Sequence, residues 1–77
     1  MMNAELLQQT IKESGLKQKY LAKQLHLSWY GFKLKVNGTH EFVASEIAIL
    51  RDLLRLDDTA FNDIFFAKRV SENHKLL

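Results

Sequence analysis

Between Lys17 and Asn37 the chain sets lysines at 17, 19, 23, 33 and 35 around the aromatic pair Trp29-Tyr30. Ammonium groups pair with anionic oxygens, and lysine also suits the O6 and N7 acceptors of guanine. Indole and phenol add apolar surface with one N–H or O–H donor each. The chemistry open to this mixture is recognition of a polyanion, not bond making. His26, His40 and His74 lack the i, i+4 spacing and the cysteine partners of a metal site, so neither metal nor cofactor is expected. Glu41 with Glu46, and Asp57 with Asp58, read as loop and cap carboxylates and not as an acid–base pair. There is no glycine-rich phosphate loop, and a chain this small leaves no room for a Ser–His–Asp arrangement. No catalysis is expected.

The overall charge of +2 hides a strong segregation. Residues 12–40 carry six lysines against Glu13 alone, a net +5. Residues 41–63 carry two arginines against six carboxylates, a net −4, and residues 64–77 return to +2. Such asymmetry implies a basic face for a polyanion and an acidic face turned from it. A solvated lysine surface is the alternative that charge leaves open.

Something must hold those side chains in register, and 77 residues allow a single domain, read as 1–70 with a flexible tail at 71–77. A domain of this size buries only about 60% of the surface its unfolded chain exposes, so its margin is small. The absence of cysteine excludes disulfide staples and makes a reducing cytoplasm the expected setting. No apolar run reaches the length of a membrane span, and the start Met1-Met2-Asn3-Ala4-Glu5 lacks a basic signal opening. Proline is absent and glycine occurs only at 15, 31 and 38, which favours helices joined by short turns.

Five helices are predicted. The first follows Asn3, carries Leu7, Ile11 and Ser14 on one stripe, and ends at Gly15. The second runs from about Gln18 to Leu25, with Leu21, Ala22 and Leu25 buried. Ser28 caps a third that reaches about Val36. The longest loop, 37–44, carries an inward Phe42. A fourth helix spans about Ala44 to Arg55 with Ile47, Leu50, Leu53 and Leu54 along one face. Asp57 caps the fifth, where Phe61, Ile64 and Phe65 recur at i, i+3 and i+4.

The stretch Gln18–Gly38, QKYLAKQLHLSWYGFKLKVNG, has the features that two crossed short helices require. Ala22 supplies the small side chain at the contact, and Leu21, Leu25, Leu27 and Phe32 supply the flanking bulk. Leu27 inside the turn and the Ser28 cap direct the second helix outward. The sequence here resembles the helix-turn-helix of the lambda-repressor-like, xenobiotic-response-element family of phage and bacterial regulators. Gly15-Leu16-Lys17-Gln18 is similar to the family's approach to helix 2. Asn37 to Phe42 followed by Ser45-Glu46-Ile47 resembles the loop and fourth helix of small Gram-positive phage members, and Asp57–Phe66 their fifth. The likeness covers about residues 4–67. Three positions depart from it. Lys17 stands where a capping hydroxyl is usual, Val43 where threonine is common, and His26 where a glycine often turns the chain, so His26 has to adopt φ > 0.

The resemblance implies an all-α, compact five-helix lambda-repressor-like domain with the helix-turn-helix at helices 2 and 3. It also implies a phage-type repressor or Cro-like regulator that occupies an operator in double-stranded DNA. Helix 3 of the family enters the major groove. Carried over, that face is Ser28, Trp29, Tyr30, Lys33, Leu34 and Asn37, with Gln18 at the start of helix 2. Trp29 and Tyr30 depart from the small or polar residues often found there, and offer thymine-methyl contact or one donor each. Phosphate contacts are expected from Lys17, Lys19, Lys35, Tyr30 and the Thr39-His40 loop. A homodimer is expected through Phe61, Phe65 and Phe66. Because Phe65 and Phe66 are adjacent, only one can face the core. The competing expectation is an antirepressor that docks on a neighbouring helix-turn-helix repressor through the same face, since Trp and Tyr are typical protein hot spots.

Overall fold

The computed structural model describes residues 2–67, and every regular element in them is helical: α1 (Ala4–Ser14), α2 (Gln18–Gln24), α3 (Trp29–Val36), α4 (Ala44–Leu54) and α5 (Asp58–Phe65). The five expected helices are present, with no strand among the described residues. The tail expected at 71–77 lies outside them, as do residues 68–70 of the expected domain. No helix among the described residues is long and apolar enough to cross a membrane.

Local chemistry fixes the helix ends. Asn3 accepts a hydrogen bond from the Leu6 N–H at 3.0 Å, Ser28 from Gly31 at 3.0 Å and Asp57 from Ala60 at 2.8 Å. Each bond satisfies a donor that the first turn leaves unpaired. At α2, Lys17 offers no such side-chain bond. Val43 has no acceptor either, so at α4 only the reciprocal half of a capping box forms: Glu46 Oε1 accepts from the Val43 N–H at 2.9 Å. Gly15 ends α1 at φ 77°, a left-handed geometry that costs glycine nothing. Helix α4 stops one residue short of the expected Arg55. Arg55 turns left-handed at φ 55°, the Leu56 N–H reaches back to the Arg51 carbonyl at 3.0 Å, and Leu56 is thereby delivered to the core.

The chain passes from α2 to α3 in four residues. Leu27 donates its N–H to the Ala22 carbonyl at 2.9 Å, and His26 takes φ 59°. Left-handed geometry costs a residue with a Cβ roughly 1–2 kcal/mol. His26→Gly removes that cost and adds back ~0.4–1 kcal/mol of unfolded-chain entropy. We therefore expect a net gain of about 0.5–1 kcal/mol, seen as a melting temperature a few degrees higher. A lower value would show that the exposed imidazole makes contacts worth more than the strain.

Helices α1, α2, α3 and α4 close around Leu7, Ile11, Leu21, Phe32 and Leu50, each with essentially no exposure. Ala22, 3% exposed, is the small residue on the α2 stripe beside Leu21. Helix α5 adds Ile64 and Phe65, and the Asn3 N–H donates to the Ile64 carbonyl at 2.6 Å, tying the start of the chain to α5. Ser14 does not join the α1 stripe. It is exposed, and its hydroxyl donates to the Ile11 carbonyl at 2.6 Å, closing the last turn.

Candidate functional site

Trp29 is the first residue of α3, directly after the Ser28 cap, and keeps 40% of its surface exposed. Three and four residues on, Phe32 and Lys33 share its side of the helix. Its indole lies nearly parallel to the Phe32 ring, with centroids 6.4 Å apart and planes inclined by 20°. The Lys33 ammonium sits 5.6 Å from the indole centroid, and the Lys19 ammonium, from the first turn of α2, sits 5.8 Å away. Attraction to the ring contributes about 0.5–1 kcal/mol at such exposed positions. Two ammonium groups from different helices are thus gathered at one aromatic side chain, which is itself anchored on the core through Phe32.

Lys33 also lines a hollow of about 220 Å³ together with Gln8, Gln18, Val36 and Asn37. The Gln8 amide donates to the Val36 carbonyl at 3.4 Å. Asn37 Oδ1 accepts from the Thr39 N–H at 2.9 Å, which leaves the Asn37 amide nitrogen to donate elsewhere. Of the expected site residues, Gln18, Lys19, Trp29, Lys33 and Asn37 are therefore brought together, with Lys33 common to both groups. Tyr30, 71% exposed, follows Trp29, while the Ser28 hydroxyl oxygen is engaged at its cap. Lys17 is exposed at the α2 N-cap. Among the described residues, none of Lys17, Lys19, Lys23 and Lys33 forms an ion pair. Gln8 was not foreseen, because it reaches the hollow from α1 by tertiary packing and carries no sequence signal.

Other expected residues are placed elsewhere. Lys35, expected on phosphate, points at α4, where its ammonium meets Glu46 Oε1 at 2.7 Å with only 16% of the side chain exposed. It lies two positions on from Lys33, about 200° around the helix, so the two lysines occupy different sides. Leu34 is half-buried, and its carbonyl accepts from the N–H groups of Thr39 and His40 at 2.9 and 3.1 Å. The aromatic trio of α5 is divided as well. Phe65, expected with the dimer residues, is 6% exposed and meets Phe42 edge-on at 6.3 Å, because it lies one turn on from Phe61 on the inward side of α5 that it shares with Ile64. Phe66 remains 56% exposed, and Phe61 bridges the two at 5.3 and 5.6 Å under the Arg51 guanidinium.

A larger hollow of about 490 Å³ includes His40, Glu41, Phe42 and Phe65. It holds a carboxylate and no lysine or arginine, which makes it a poor seat for a polyanion. No protein-family profile, curated protein or solved structure matches the chain.

Proposed function

We propose that α2 and α3 form a lambda-repressor-like helix-turn-helix, and that the chain is a phage-type, sequence-specific DNA-binding regulator acting by operator occupancy without catalysis. The observation that carries this reading is Lys33. It stands on the exposed side of α3, beside both the Trp29–Lys19 cluster and the hollow lined by Gln18 and Asn37. A basic side chain there, with amide donors next to it, suits base edges in a major groove, while Lys19 and Lys17 suit flanking phosphates. In a homodimer joined through Phe66 and Phe61, two such helices would lie about 34 Å apart, one turn of DNA.

The experiment is a titration of the chain with the duplex flanking its own gene across a salt series. Binding should weaken steeply with salt as counterions are released. Lys33→Ala should cost about 1–3 kcal/mol and relax preference at one base pair, whereas Lys19→Ala should weaken all sequences alike and lower the salt slope by about one. Two chains per duplex are expected. Salt-insensitive binding, or none, would refute the reading. The exposure of Trp29 and Tyr30, 40% and 71%, favours one alternative, an antirepressor docking on another regulator. In that case alanine at either aromatic would cost about 2 kcal/mol or more against the protein partner, and Lys33→Ala would matter little.

A further inference from the structure

The cluster at the start of α3 is specific enough to name the group it meets. We propose, building on the DNA-binding reading above, that Trp29 recognises the 5-methyl group of a thymine in the major groove. The indole has one N–H donor and no acceptor. It cannot make the two-point contacts that identify adenine, a donor with an acceptor, or guanine, two donors, and it has nothing to accept the cytosine amino group. The apolar group on the major-groove edge is the thymine methyl. Trp29 presents apolar surface at the N-terminal end of α3, where a groove-inserted helix meets base edges.

Two further observations make the ring a reader and not a loose surface aromatic. Its stacking on Phe32, which is fully buried, holds the indole in one place before any partner arrives. Little side-chain freedom then remains to be lost on binding. The Lys19 and Lys33 ammoniums, both within 6 Å of the ring centroid, select the kind of partner. An apolar protein surface covering Trp29 would strip water from two cations and give them no anion in return. A duplex places phosphate oxygens and base-edge acceptors, thymine O4 and purine N7 among them, near a thymine methyl, so indole and lysines are satisfied together. The site therefore takes a thymine flanked by acceptors.

The test uses duplexes selected by the full chain from a random double-stranded pool, with each thymine replaced in turn by uracil, which removes the methyl and nothing else. Trp29 is the chain's one tryptophan, so its emission reports this residue alone. At one position per half-site, uracil should weaken binding about fourfold, the equivalent of one unburied methyl-sized group at ~0.8 kcal/mol. The emission change on binding should shrink at that same position. Trp29→Ala should bind the thymine and uracil duplexes equally, and Trp29→Phe should retain part of the difference. A selected site at which no uracil weakens binding, or at which Trp29→Ala keeps the full difference, overturns the thymine assignment and leaves the DNA-binding reading standing. Failure to select any duplex overturns both.

Discussion

Phe32→Ala is expected to lower stability by about 3–5 kcal/mol, the cost of emptying a fully buried aromatic site. Phe32 has no exposed surface, and it meets Trp29 and Phe42 at 6.4 Å each. It therefore joins α3 to the α3–α4 loop as well as filling the centre. A domain of this length has about 4–11 kcal/mol in all, so the loss is a large part of it. Urea unfolding followed by the single tryptophan should show a transition displaced to far lower denaturant. Phe32→Leu, which keeps most of the volume, should cost less than half as much. A loss for Phe32→Ala below about 1 kcal/mol would mean that α3 does not rest on this ring.

Glu46→Gln is expected to cost about 2–3 kcal/mol, although it changes the side-chain volume very little. Glu46 is the one charged residue in the core of the described region, and Oε1 accepts from both the Lys35 ammonium and the Val43 N–H. Glutamine can keep the bond to Val43 but leaves the Lys35 charge in a site with 16% exposure. Removing one partner of a fully buried ion pair costs ~3–5 kcal/mol, and the residual access to water here reduces that. Lys35→Met should be milder, because the carboxylate retains the Val43 N–H. In the double variant, Lys35→Met with Glu46→Gln, the total should fall well below the sum of the singles, as coupled residues do. Additive costs would show that the pair contributes nothing as a pair. Lys35→Met should also leave the salt dependence of the proposed DNA binding unchanged, since its ammonium is already matched by Glu46.

Much of this protein was legible before its structure because short-range chemistry decided it. Asn3, Ser28 and Asp57 cap their helices through bonds that span three residues, so the sequence suffices to place those ends. Gly15 at φ 77° follows from the same local logic, whereas His26 at φ 59° was expected only through the resemblance, which puts a glycine at that place in the turn. The inward positions of Leu7, Ile11, Leu21, Leu25, Leu50 and Ile64 follow from helical periodicity, which marks a face once the helix is known.

What remained open was which of several equivalent side chains meets which neighbour. Lys33 and Lys35 are the same residue type two positions apart, and only the arrival of Glu46 from α4 draws one of them inward. Phe65 and Phe66 compete for one core, and Phe42 on the α3–α4 loop settles it for Phe65. Gln8 reaches the α3 hollow from 28 residues away from Val36, a distance along the chain that no local pattern encodes. The sequence determined five helices, three of their N-caps and a basic segment that contains an aromatic pair. Tertiary packing alone decided which lysines stay on the surface, because an ammonium is committed or released only by the charge that the fold brings against it.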